Sequence, residues 1–147
     1  MISPDLELRL RAVVLHEYDS YCQRVGEGPC APIAAALKFL GFGKFATLFA
    51  ISETERDDCE DLKSVFDRMP DGCVCFRHCV VIQHDGYILD VALPPDFKVI
   101  GYELIDTDQE LAGVYAEEEE VQFWRSRFNG ILLESHVPGE SALATST

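Results

Sequence analysis

The chain has 147 residues, 48% of them apolar, with 12 Lys and Arg against 26 Asp and Glu, giving a formal net charge of −14. That length and apolar content support one domain with a real core and leave little for a second. The charge argues against a direct nucleic-acid ligand, because such binders displace phosphate counterions with Lys and Arg, and it suits a basic protein partner instead.

The opening residues, MISPDLELRL, lack the basic start and unbroken apolar run of a signal peptide. No stretch nears the roughly eighteen apolar residues of a membrane span, so a soluble, cytoplasmic protein with no membrane partner is expected. Ser3, Pro4 and Asp5 form a helix start, after which Leu6, Leu10, Val13, Val14, Tyr18 and Tyr21 recur at near-helical spacing up to Val25 and Gly26. GEGPCAPIAAALKFLG is a second helix, with its prolines in the first turn and Gly41 at its C-terminal end. Its Ala-rich, nearly uncharged body implies burial on most sides.

KFATLFAI (44–51) is an apolar strand, and ERDDCEDLKSVFDRM (55–69) a more polar helix with Leu62, Val65, Phe66 and Met69 on one face. From Cys73 to Gln83 the chain is β-branched and apolar, a turn follows at Asp85 and Gly86, and Tyr87 to Leu93 returns as a second strand. FKVIGYELID (97–106) is expected to be a third strand of the same meander. Residues 116–129 form a last helix, with Val121, Trp124 and Phe128 inward and Glu117 to Glu120 at its start, where the helix dipole favours acids. The small, polar tail from Pro138 to Thr147 should be loose. The order predicts a single α+β domain over residues 1–137, with N-terminal helices packed on an antiparallel β-meander.

Cys30 heads the second helix, where peptide N–H groups and the helix dipole stabilise a thiolate. Cys-His chemistry also needs a base that touches the sulfur and an acceptor that orients the base, and His78 and Asp90 could supply both. The hairpin's parity decides whether they can meet. A two-residue Asp85-Gly86 turn sets Val81 opposite Asp90 and puts His78 and Asp90 on opposite faces. A three-residue loop of His84, Asp85 and Gly86, with the glycine left-handed, sets Val80 opposite Asp90 and His78 opposite Ala92. The two then share a face as diagonal neighbours, so the catalytic reading predicts the three-residue loop.

CAPIAAALKFLGFGKFATLFAI followed by HCVVIQHDGYILD resembles, in order and setting, the papain-like and transglutaminase-like superfamily of Cys-His-Asp enzymes. The resemblance covers roughly residues 22–95. It implies a papain-like core with Cys30 as nucleophile, His78 as general base and Asp90 as orienting carboxylate. It also carries an oxyanion-stabilising role to Gln23, seven residues before Cys30. The aromatic residue common after the family's nucleophile is replaced here by Ala31 and Pro32. The activity implied is acyl transfer through a thioester, whether amide hydrolysis, thiol proteolysis, deamidation or transglutamination, on a protein or peptide substrate and without a cofactor.

Other readings remain open. A cysteine on an apolar helix is often a small buried hydrophobe, and a strand histidine is often a hydrogen-bonded core residue. Cys73, Cys75, His78 and Cys79 are zinc-type ligands within seven residues, but strand alternation points His78 away from the three cysteines, so no metal is expected. The alternative function is a catalytically silent acidic protein-binding module, an inhibitor or nucleic-acid mimic, supported by the acid-rich segments 53–61 and 106–120.

Overall fold

The structure is a computed structural model that describes residues 2–53, 72–93, 97–106 and 116–135. The helix expected over 55–69 and the tail from Pro138 lie outside the described residues. Among those described, three helices accompany a four-stranded antiparallel sheet, and the fold is α+β. No helix among them is long and apolar enough to cross a membrane.

Helix α1 (Pro4–Val25) starts where its local chemistry says it should. The Ser3 hydroxyl accepts from the Leu6 N–H at 3.2 Å, and Asp5 and Glu7 sit in the first turn. At the far end Gly26 takes a left-handed φ of 89° and donates to the Cys22 carbonyl, ending the helix. Leu10, Val14 and Tyr21 are its buried stripe, with Leu6, Val13 and Tyr18 packed beside them. Helix α2 (Cys30–Phe39) is buried from Pro32 through Leu37, as its Ala-rich composition requires. Helix α3 (Glu118–Ser135) runs beyond the expected end at 129 and buries Val121, Trp124, Phe128 and Ile131. Trp124 stacks on Phe128 at 5.9 Å between centroids and meets Tyr21 of α1 at 5.2 Å, which ties the two long helices together.

Strands β1 (Lys44–Glu53), β2 (Cys73–Ile82), β3 (Ile88–Leu89) and β4 (Lys98–Asp106) lie in the order β3-β2-β1-β4. The continuous meander is therefore corrected: β4 pairs with β1, on the far side of the sheet from β3. The reason lies in the strands themselves. β1 is buried along nearly its whole length, so both of its edges need hydrogen-bonding partners, and β2 fills only one. β3, expected to run to Leu93, pairs over two residues only and offers a short template for a neighbour.

Strand alternation divides the core. Phe45, Val81, Leu89 and Val91 face the helices, whereas Ala46, Leu48, Ala50, Phe76 and Val80 form a second cluster on the opposite face. Gly43, between α2 and β1, has a φ of 156°, and a Cβ there would lie 2.3 Å from the Ile82 carbonyl oxygen. Gly43→Ala combines backbone strain with overpacking, so a stability loss of about 2–4 kcal/mol is expected in urea unfolding.

Candidate active site

The hairpin between β2 and β3 has the three-residue loop. Val81 pairs with Leu89 and Ile82 with Ile88, and Gly86 takes a left-handed φ of 86°. The Gln83 carbonyl accepts from Gly86, and the Gln83 N–H donates to the Tyr87 carbonyl. Extending this register sets His78 opposite Ala92, and His78 and Asp90 meet on one face. His78 Nε2 lies 2.8 Å from Asp90 Oδ1, with the two side chains 1% and 5% exposed. Asp90 also accepts from the Ala92 N–H at 3.4 Å and, through Oδ2, from the Tyr102 hydroxyl at 2.9 Å. Three donors on one buried carboxylate hold it in a single orientation.

His78 and Asp90 face away from the helices, yet Cys30 belongs to a helix on the other side. They meet at the sheet edge. Because Gln83 exchanges a hydrogen bond with Tyr87, the alternate residues Val81 and Cys79 also turn their backbone groups toward β3. β3 stops at Leu89, so the stretch of β2 holding Cys79 is not paired by it. The N-terminus of α2 approaches there, Cys30 and His78 line one cavity, and Cys30 comes near enough for the His78 imidazole, the Cys79 thiol and the Cys79 backbone to govern its ionisation. With Nε2 committed to Asp90, Nδ1 is the His78 nitrogen left for sulfur.

The electrostatics follow from these contacts. The Cys79 thiol, as hydrogen-bond donor, is the largest influence drawing Cys30 well below the ordinary thiol range; burial opposes it, and the hydrogen bond and charge of His78 add to it. Burial on its own would favour neutral His78. The Asp90 carboxylate, by charge and hydrogen bond, and Cys30 outweigh it and push His78 up to about 10. Asp90 is held below its usual range: burial resists, and the charge and hydrogen bond of His78 together with the Tyr102 and Ala92 donors prevail. Cys79 is pushed up, first by the hydrogen bond it gives Cys30 and then by burial and the Cys30 charge. All three directions favour a thiolate–imidazolium–carboxylate array.

A cavity of about 420 Å³ opens onto Cys30 and His78, walled by Tyr18, Cys22, Glu27, Phe76, Arg77 and Phe97. Phe76 meets the imidazole edge-on at 5.7 Å and Phe97 at 5.4 Å, forming an aromatic floor. No side chain caps α2, and its first backbone hydrogen bond runs from Ile33 to Pro29. Pro32 has no N–H, which leaves Cys30 and Ala31 with N–H groups that have no acceptor within the helix.

Cys30, His78 and Asp90 are thus brought together. Gln23 is not: it is exposed on α1 and does not line the cavity, where its neighbour Cys22 does. Tyr102 and Cys79 are additions to the site that sequence reasoning missed. Tyr102 pairs with Ala50 of β1 and reaches Asp90 across β1 and β2, and no local pattern announces that contact. Among the described residues, no group of three or more His, Cys, Asp or Glu could hold a metal ion. Comparisons with protein-family models, curated proteins and solved structures give no match.

Proposed function

We propose that the protein is a cysteine-dependent acyl-transfer enzyme of papain-like or transglutaminase-like kind, acting on the amide carbonyl of a protein or peptide substrate. The observation that carries this reading is the continuous chain of contacts from Cys30 through His78 and Asp90 to Tyr102, beside a cavity open to substrate. The Cys30 thiolate attacks the carbonyl carbon. The developing oxyanion is met by the Cys30 and Ala31 N–H groups at the N-terminus of α2, in the field of the helix dipole. His78, as imidazolium, gives its proton to the departing amine, and Asp90 holds the ring and offsets its charge. The thioester then passes its acyl group to water or to a second amine, with neutral His78 taking that nucleophile's proton. Gln23 has no part in this scheme. The papain-like core is likewise part of the proposal.

The test is the pH dependence of Cys30 alkylation by iodoacetamide, followed by peptide mass spectrometry in the parent and in His78→Ala, with acylation by p-nitrophenyl acetate read on the same peptide. Reactivity in the parent is expected to titrate well below the free-thiol value of about 8.5 and to return toward it in His78→Ala, with acyl adducts on Cys30 only in the parent. Slow alkylation that rises only near the free-thiol value in both proteins would make Cys30 a packing residue and end the proposal.

A further inference from the structure

Two sulfurs meet at this site, and the mechanism uses only one. Cys30 is half-buried and lines the cavity, whereas Cys79 is 6% exposed and does not line it. Both belong to the helix-side apolar cluster where α2 packs on β2, Cys30 shares its cavity with His78, the residue next to Cys79, and each thiol shifts the ionisation of the other. A reagent entering the cavity therefore reaches Cys30 first, with Cys79 directly behind it. We propose that Cys79 is a resolving cysteine: hydrogen peroxide oxidises Cys30, and Cys79 closes a reversible Cys30–Cys79 disulfide that switches the thiolate chemistry off.

The steps balance. The Cys30 thiolate attacks one peroxide oxygen, the O–O bond breaks, and the departing hydroxide takes the His78 proton to become water, leaving Cys30 as a sulfenic acid. The Cys79 sulfur then attacks the sulfenic sulfur, the S–O bond breaks, and the hydroxyl leaves with the Cys79 proton as a second water. Two thiols are oxidised by two electrons, and one peroxide is reduced to two waters. A dithiol reductant reverses the change by exchange.

The electrostatics give the sequence of events a trigger. While Cys30 carries its negative charge, that charge and the hydrogen bond between the thiols hold Cys79 protonated and inert. A sulfenic acid is neutral at the same position. Oxidation of Cys30 thus removes the thiolate's charge and its pull on the Cys79 proton, leaving burial as the influence that still suppresses Cys79, so the second thiol becomes more nucleophilic once it has a sulfenic sulfur to attack.

The proposal rests on the Cys30 thiolate of the preceding section, and the test separates the two. Parent, Cys79→Ser and Cys30→Ser proteins are exposed to hydrogen peroxide, and their peptides are mapped by mass spectrometry without reduction. Iodoacetamide reactivity is measured before oxidation, after it, and after dithiothreitol. The parent is expected to form the Cys30–Cys79 linkage, to lose at least tenfold in Cys30 alkylation, and to recover on reduction. Cys79→Ser should instead carry Cys30 on to sulfinic and sulfonic acids that dithiothreitol does not restore. Fast alkylation before oxidation with no Cys30–Cys79 linkage, or with Cys30 joined to Cys22 on the cavity wall, overturns the switch and leaves the enzyme reading standing. Slow alkylation before oxidation overturns both.

Discussion

Asp90→Asn is expected to lower Cys30 alkylation at pH 7 by on the order of 10²-fold and acylation by 10²–10⁴-fold, with the fold intact. The asparagine can keep the geometry. Its Oδ1 can still accept from His78 Nε2–H and from the Ala92 N–H, as the carboxylate's does, while its amide nitrogen faces a Tyr102 hydroxyl that can turn from donor to acceptor. What disappears is the charge. Burial then acts on His78 unopposed by a carboxylate, the imidazolium is lost near neutral pH, and the Cys30 thiolate loses its counter-ion. If the parent carries out the proposed acyl transfer, its upper limb is expected where His78 gives up its proton, at about 10. In Asp90→Asn that limb should move below neutrality. A pH–rate profile that keeps its alkaline limb in place would show that Asp90 orients the ring without charging it.

The second large effect concerns stability. Unfolding should cost the same free energy between about pH 6.5 and 8.5 as far as Cys30, His78 and Cys79 are concerned, and become steeply cheaper above that window. His78 has a raised pKa, so its contribution is complete below about 6.5 and is lost as pH rises through about 10. Cys30 has a lowered pKa, so its contribution is present above about 8.5 and is lost as pH falls through its folded value. In the interval between, the folded pair of thiolate and imidazolium holds one proton, and so does the unfolded pair of thiol and neutral imidazole. Above about 8.5 the unfolded chain ionises both thiols, while the folded protein still keeps a proton on His78 and another on Cys79. A difference of two protons gives a slope of about 2.7 kcal/mol per pH unit. Urea unfolding from pH 6 to 10 measures it, and Cys79→Ser should lower the alkaline slope by one proton's share, about 1.4 kcal/mol per pH unit. An equal slope in that variant would remove Cys79 from the account.

What could be foreseen in the sequence was what local chemistry decides. Ser3, Pro4 and Gly26 mark the limits of α1 through hydrogen bonds spanning three or four residues. Gly86 permits the left-handed turn that sets the hairpin register, and the register fixes which side chains face His78. The partner of β4 was not legible. Its choice between the edges of β1 and β3 depends on which strand is longer and more deeply buried, a property of the assembled sheet. Tyr102 went unseen for that reason, since its route to Asp90 crosses β1. Cys79 was visible as a residue but not as a neighbour of Cys30. Alternation points its side chain away from His78, and only the early end of β3 lets a helix residue touch both.

Surface loops are ordinarily where a chain gains or loses residues at little cost. The segment 84–86 is a turn of exposed residues, and none of them touches the cavity. Deleting any one would nevertheless carry Asp90 to the reverse side of the sheet while leaving every reacting side chain in the sequence. Insertion of two would preserve the phase and lengthen the loop harmlessly. The proposed chemistry thus depends on the length of a segment with few fixed points, Gly86 for its left-handed φ and Asp85 for the bond it accepts from the Tyr87 N–H, and an indel there would be silent in any catalogue of the proposed site's residues.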